Sequence, residues 1–328
     1  MALIRWQFLG VVGAVTVGAI ATIAFAQANY PAKPIRIVVG FAAGGPADIL
    51  SRLLGDKLSA NWGQPVIVES VTGAGGNLAT DRVAKAGRDG YTLLMASSPM
   101  IVVNPSLYPR LSFDPIKDLA SISQVGSTPN ILVVHTNVPA RNVQELVEFA
   151  RTQPGKLTFG SGGVGSSNHL SGELFKSVAH IDIQHVPYRG IAQAVPDLLG
   201  GRLTMLFANA PSVQSLVREG RLRALAVTSP KRSPSTPELP AMAELGFPGF
   251  DVTTWFGLFA PRGTPAETIA KLHLETTRAM TLPDVRRRLE EHGIEPIISS
   301  PGELASVVRS ETLFWARLVK DAGVKLPN

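Results

Sequence analysis

The strongest constraint on this chain is an alternation between two periodicities. Ile35–Val39 is a short apolar run that reads as a buried strand. Ala47–Leu58 follows and places Ile49, Leu53, Leu54 and Leu58 on one helical face. Strand Val66–Glu69, helix Asn77–Ala86 and strand Tyr91–Ala96 come next. This βαβαβ order calls for a parallel sheet with helices on both faces.

A second series starts at Ile131–His135, followed by a helix with Val143, Leu146, Val147 and Ala150 on one face. Strand Leu157–Phe159, a helix from near Ser166, strand Ile183–Val186, helix Ile191–Leu199, strand Leu203–Phe207, helix Ser212–Arg218 and strand Ala224–Val227 complete it. The stretch 229-SPKRSPSTPELP-240 is too rich in proline for either regular element. Beyond it the spacing predicts strand Val252–Phe259, helices Pro265–Met280 and Leu282–His292, strand Glu295–Ile298 and helix Pro301–Ala322. That tail has too few strands for a third domain, so it is expected to complete the first. The fold class is therefore α/β, with two parallel-rich sheets flanked by helices and a hinge of two crossings. Residues 27–126 and 252–328 form lobe 1, 127–228 form lobe 2, and 229–251 form a crossing segment. Two lobes joined this way make a hinged clamp around a cleft.

The first residues read MALIRWQFLGVVGAVTVGAIATIAFAQ. One charge, Arg5, precedes an apolar run from Phe8 to Phe25, and Ala24-Phe25-Ala26 is a small-x-small cleavage site. Residues 1–26 are expected to be a secretory signal peptide cut after Ala26, which delivers the chain to the periplasm. The rest suits a free globular protein: 45% of the 328 residues are hydrophobic and 17% charged, which excludes a disordered chain and a multi-span membrane protein. Cysteine is absent, so neither disulfides nor a lipid-modified N-terminal cysteine is available. The net charge of +6 has no basic run interleaved with aromatics behind it, and Arg286-Arg287-Arg288 reads as a solvated helix face. No nucleic acid is expected as a partner.

Candidate site residues sit where strands run into helices. In 40-GFAAGGPAD-48, Gly44 and Gly45 let the backbone approach a ligand, Pro46 suits an early helical position, and Asp48 suits the helix dipole. In 160-GSGGVGSSNH-169 the glycines have dinucleotide-fingerprint spacing. The following strand, 181-IDIQHV-186, carries no acid at its end for a ribose. Glycines with Ser161, Ser166 and Ser167 at a helix start describe a pocket for a small carboxylate instead. Tyr188, Arg189 and Gly190 follow another strand end, where Arg189 could pair with a carboxylate. Ser97, Ser98, Asn209 and Ser212 close the other ends. His169 has no partners at zinc-ligand spacing and is expected to bond locally. Trp255 and Phe256 suit core packing and a cleft wall equally. Nucleophile elbows and paired carboxylates do not stand out.

These residues resemble a known family: the extracytoplasmic solute-binding receptors of the tripartite tricarboxylate transporter, or Bordetella-uptake-gene ("Bug"), type. The likeness rests on 30-YPAKPIRIVVGFAAGGPAD-48, 64-QPVIVESVTGAGGN-77, 88-RDGYTLLMASS-98, 104-NPSLYPRLSFDPIKDLA-120, 182-DIQHVPYRG-190, 222-LRALAVTSPKRSP-234 and 254-TWFGLFAPRGTP-265, in that order. It implies a two-lobed periplasmic-binding-protein (Venus-flytrap) fold that closes on one small organic acid. It implies no cofactor and no metal, a chain that acts as a monomer, and delivery to membrane permease subunits or presentation to a sensor kinase. By resemblance Ser161, Gly162, Gly165, Ser166 and Ser167 hold the carboxylate, and Phe41, Ala43, Gly44 and Gly45 approach it from lobe 1, partly through water. Tyr188, Arg189 and Gly190 match a further pocket loop. Two departures, Ser97-Ser98-Pro99-Met100 and Ala208 before Asn209, imply a less polar ligand such as an aromatic acid. The opposing reading is a secreted α/β enzyme acting on a small carboxylic acid.

Overall fold

The computed structural model describes residues 30–41, 43–188 and 190–321. The apolar leader lies outside them. Chain order is β1 (Ile35–Val39), α1 (Pro46–Trp62), β2 (Val66–Ser70), α2 (Asn77–Ala84), β3 (Thr92–Ser97) and β4 (Leu119–His135). Then come α3 (Val143–Thr152), β5 (Leu157–Ser161), α4 (Ser167–Ala179), β6 (Ile183–Pro187), α5 (Ile191–Leu199), β7 (Met205–Asn209), α6 (Ala210–Arg218) and β8 (Leu222–Val227). The tail supplies β9 (Thr253–Pro261), α7 (Ala266–Thr281), α8 (Pro283–Glu291) and α9 (Pro301–Asp321).

The strands make the expected α/β, two-lobed architecture. In the first sheet the order is β2-β1-β3-β9-β4, parallel except where the returning β9 inserts antiparallel between β3 and β4. In the second it is β8-β4-β7-β5-β6, with β5 parallel to both β6 and β7. β4 belongs to both sheets. Its first part, Leu119–Pro129, pairs with β9, and its last part, Asn130–His135, pairs with β7 and β8. The first crossing between lobes is thus a continuous strand of 17 residues rather than a loop. Two register shifts against β9, at Ser121/Ser123 and Gln124/Gly126, let it bend between the sheets.

The second crossing is stitched to the first. The Thr228 hydroxyl accepts from the Asn130 amide at 2.8 Å and donates to the Val252 carbonyl at 2.9 Å. Thr228 N–H donates to Asn130 O, and Val252 N–H to Thr228 O. These bonds join both crossings into one hydrogen-bonded strip.

One expected strand does not form. Glu295–Ile298 makes only an isolated bridge, Glu295 to Ser127. Pro296 has no N–H to continue a ladder, so pairing stops after one residue. Conversely, the segment after β3, which shows no clear period, folds as helical turns at Pro99–Val103, Asn104–Leu107 and Pro115–Asp118.

One apolar cluster fills the space between the first sheet and α1, α7 and α8, and includes Ile37, Leu54, Met95, Leu258, Leu272 and Leu289. Another lies under α5 and α6 of the second lobe. The third runs through both lobes, from Val38 and Leu94 to Phe159 and Phe207, and contains Leu107, Phe250 and Trp255. Trp255 is buried there, with its indole N–H donating to Glu311 at 2.8 Å. The lobes share apolar packing as well as a hinge.

Candidate ligand site between the lobes

Parallel strands leave their carboxyl ends, and the amino ends of the helices that follow, on one edge of each sheet. In lobe 2 the first such junction is β5–α4. Ser166 is the N-cap of α4: its hydroxyl accepts from the His169 amide at 3.4 Å and donates to Gly163 O at 2.7 Å. Ser166 thus closes the turn, and its proton is already used. Ser167, the first helical residue, is half-buried and stands beside the unpaired amides of the helix start.

The α5 amino end meets the same loop. Gly190 caps α5 without a side-chain bond. A Cβ on Gly162 would lie 3.1 Å from the Ile191 nitrogen, and one on Gly163 would lie 3.3 Å from Tyr188 O. Gly163 has φ +123, which favours glycine, and the close approach at Gly162 leaves little room for a side chain where two helix starts and a strand end meet one loop. Two helix amino ends that meet at one loop give it a positive potential that favours an anion.

A buried polar layer fixes the loop from beneath. Ser161 Oγ lies 2.6 Å from His185 Nε2 and accepts from the Gly163 amide at 3.1 Å. The Gly165 N–H donates to His169 Nδ1 at 3.1 Å, so the His169 proton sits on Nε2, which faces Glu173 at 3.7 Å. The two imidazoles lie 3.9 Å apart, centroid to centroid. Burial, aided by His185, pushes His169 down to about 3, and burial pushes His185 down to about 4. Both are neutral at neutral pH, so the positive character of this corner comes from helix ends and amides.

A second layer lies toward the hinge. Asn130, fully buried on β4, accepts through Oδ1 from Asn168 at 3.0 Å and from Asn209 at 3.1 Å, and donates to Ser171 at 3.1 Å. It ties the β5–α4 and β7–α6 junctions to the crossing strand. Tyr188 is half-buried, and its hydroxyl donates to Asp197 at 2.6 Å. Burial and that bond push the phenol up to about 12.

Lobe 1 contributes β1–α1. Gly44 has φ +86, and its amide donates to Asp48 at 3.0 Å. Asp48 is buried, and the same oxygen accepts from Arg52 Nε at 2.9 Å. Burial alone would raise this carboxyl, but the bonds from Arg52 and Gly44, with the Arg52 charge, hold it below the usual carboxylate range. Its other oxygen, and Ser97 Oγ at the end of β3, are buried without partners. Phe41, Ala43 and Gly44 are exposed on this loop, Gly45 caps α1, and Ser98 is buried beside Ser97.

The lobes touch directly at this site. Leu107, on the lobe-1 turn after β3, is 7% exposed, and a Cβ on Gly165 would lie 2.3 Å from its Cδ1. On the hinge side, a Cβ on Gly293 would lie 3.1 Å from the Ala210 Cβ. The structure thus brings Ser161, Gly162, Gly165, Ser166, Ser167, Tyr188 and Gly190 to one loop cluster, and Asn209 joins it through Asn130. Phe41, Ala43, Gly44, Gly45, Asp48, Ser97 and Ser98 lie on the lobe-1 edge. Arg189 lies outside the described residues. Asn130, Asn168, His185 and Leu107 were not singled out by sequence reasoning. His185 carried a usable signal, since it shares the inward phase of β6 with Ile183.

Two open cavities lie elsewhere. One of about 340 Å3 is lined by Pro105, Tyr108, Phe113, Ile116 and Thr312, and one of about 240 Å3 by Gln214, Arg218, Thr236 and Leu239. Neither gathers the polar groups found between the lobes. Among the described residues, no group of three or more His, Cys, Asp or Glu is placed to hold a metal ion.

Two α/β lobes joined by a stitched double crossing have the architecture of periplasmic solute-binding proteins. The chain belongs to the tripartite tricarboxylate transporter family receptors (TctC), which it matches over residues 50–324. It is 40% identical over 291 residues to the UPF0065 protein in the tcbD-tcbE intergenic region of Pseudomonas sp. strain P51, covering 88% of this chain and 86% of that one. It is 37% identical over 299 residues to BugT of Bordetella pertussis, covering 91% and 92%. Among solved structures it is similar to Rpa4515 of R. palustris with adipate (34% identity, TM-score 0.83, 91% of this chain and 100% of that one). It is also similar to MatC of Rhodopseudomonas palustris with bound malate (32% identity, TM-score 0.78, 88% and 100%). The family is one of periplasmic solute-binding receptors, with small carboxylates as ligands in these neighbours.

Proposed function

We propose that the chain is exported by cleavage after Ala26 and captures one small organic acid between its lobes. The observation that carries this is the convergence of the α4 and α5 amino ends on the Gly162–Gly165 loop, with Leu107 of lobe 1 seated on Gly165. One carboxylate of the acid accepts from the Ser167 and Asn168 amides and the Ser167 hydroxyl. Ser166 holds the turn, and Ser161 is held in place by His185. The lobe-1 edge, from Phe41 to Asp48 with Ser97 and Ser98, covers the rest of the ligand. Tyr188, Gly190 and Asn209 line its second-lobe side. The departures at Ser97-Ser98-Pro99-Met100 and Ala208 suit an acid with an aromatic or aliphatic body, acting through the packing beneath the site because Met100 and Ala208 are fully buried.

Closure follows because the closed state alone contacts the ligand from both sides, and only that differential affinity moves the equilibrium. The closed form is what membrane permease subunits of a tripartite tricarboxylate transporter would accept, with the receptor acting as a monomer. Residues 27–126 and 252–328 move as one lobe, 127–228 as the other, and 229–251 as the link. The enzyme alternative is disfavoured by the roles of the polar groups: Ser161, Ser166 and His169 are each engaged in fixing the loop.

A thermal-shift screen of the protein from Gln27 tests this reading, using dicarboxylates, tricarboxylates, amino acids, aromatic acids and nicotinamide nucleotides. A ligand at ~100 times its Kd adds about 2.7 kcal/mol of stability. Shifts confined to acids support it. A shift with a nucleotide alone would replace it.

A further inference from the structure

The smaller of the two open cavities lies apart from the interlobe site, where the second crossing runs beside α6. Ile131, Val217 and Leu239 supply its apolar lining, and Gln214, Arg218 and Glu238 its polar lining. Its volume of about 240 Å3 falls below the roughly 300–1,000 Å3 of pockets for drug-sized molecules, so its occupant is small.

The two walls are anchored separately, so the space between them persists. One wall is α6, whose start abuts lobe 1: a Cβ on Gly293 would lie 3.1 Å from the Ala210 Cβ. The other wall is the crossing segment, stiffened by Pro234, Pro237 and Pro240. The Val227 N–H donates to Pro240 O at 2.9 Å, and the Ser233 hydroxyl donates to Glu295 of lobe 1. Neither wall depends on the other to hold its place.

Opposite charges line this space without meeting. Arg218 is the last residue of α6, Glu238 lies on the crossing segment, and both are exposed. Nearby charges pair among themselves, Glu219 with Arg221 at 3.6 Å and Arg232 with Glu244 at 3.0 Å. Among the described residues neither Arg218 nor Glu238 takes part in an ion pair. A guanidinium and a carboxylate that share a small cavity and do not pair leave room for a molecule carrying both signs. The apolar lining suits a hydrocarbon body on that molecule.

We propose that this cavity is a second ligand site, which takes the zwitterion of a small aliphatic α-amino acid. The carboxylate of the amino acid meets the Arg218 guanidinium, and its ammonium group meets Glu238. Its side chain covers Ile131, Val217 and Leu239. The site shares no residue with the one between the lobes. Both charges stay near solvent, so each contributes modestly and selectivity comes from the ligand carrying both.

The test titrates three probes calorimetrically at low salt: L-leucine, isocaproate, which lacks the ammonium group, and isopentylamine, which lacks the carboxylate. The proteins are wild type, Arg218→Gln, Glu238→Gln and Ser167→Ala. Both cavity side chains are exposed, so the probe-free Tm should stay at the wild-type value. The leucine Kd should rise about threefold to fivefold in each cavity variant. Arg218→Gln should not weaken isopentylamine, and Glu238→Gln should not weaken isocaproate. Failure of leucine to bind wild type, or a leucine Kd unchanged in either cavity variant, overturns the proposal. Equal weakening of all three probes in both cavity variants also overturns it, because the charges would then act only through the fold. Leucine binding lost in Ser167→Ala alone places leucine between the lobes; it overturns the second site and leaves the receptor reading standing.

Discussion

Gly165→Ala separates backbone strain from lobe closure. Gly165 has φ +80, where a residue with a Cβ is strained by about 1–2 kcal/mol. That cost is present whether or not the lobes touch, so it appears as a Tm loss of about 2–4 °C for each kcal/mol in the ligand-free protein. The second cost belongs to the closed state. The new Cβ would sit 2.3 Å from Leu107 Cδ1, whereas carbon atoms in contact prefer about 3.5–4.0 Å. Leu107 must retreat by over ~1 Å, an overpacking cost of about 1–3 kcal/mol. At about 2 kcal/mol, Kd for the bound acid rises about thirtyfold. Leu107→Ala removes the clashing methyl groups, so in that background Gly165→Ala should change Kd by less than about twofold. Calorimetric titration of the four proteins measures this coupling. An equal Kd change in both backgrounds would refute the claim that Leu107 and Gly165 meet when the lobes close.

Ser166→Ala removes an N-cap and should cost about 1 kcal/mol of stability in urea unfolding. Ser167→Ala should weaken acid binding with Tm unchanged; the reverse pattern would exchange their roles. Asn130→Ala orphans two amide donors, Asn168 and Asn209, at about 1–3 kcal/mol each, which should show as a lower urea midpoint. Acidification has a signed effect. His169 and His185 have folded pKa values of about 3 and about 4, below the ordinary 6.5, so the unfolded chain binds more protons and stability falls as pH drops from 6.5 toward 4. Glu311, which burial raises to about 7, acts in the opposite direction between 7 and 4.5. Tm should therefore fall on acidification, more steeply in Glu311→Gln and less in His169→Phe; a flat profile in wild type would contradict the burial of the two imidazoles.

Periodicity made most elements legible, because each strand and helix buries one face against a regular neighbour. Helix Ile191–Leu199 forms over the expected residues, and β1 likewise. The long β4 was not legible as one strand. Its middle, 121-SISQVGSTPN-130, carries Gly126, Pro129 and several hydroxyls, which read as a break. Pairing to β9 on one side and to β7 and β8 on the other overrides that local signal. The helix starts of the candidate site were visible as glycines and serines after strand ends. What lies beneath them was not, since Asn130 meets Asn168 and Asn209 across 38 and 79 residues. Leu107 was equally hidden, for its segment has no period and its role appears only when lobe 2 is folded against it.

The most direct measurement is a crystal structure of the protein from Gln27 bound to the acid that gives the largest thermal shift. The acid should lie between the lobes, one carboxylate within hydrogen-bond distance of the Ser167 and Asn168 amides and Leu107 against Gly165. An acid bound outside that seam, for example in the cavity lined by Tyr108 and Thr312, would contradict the account.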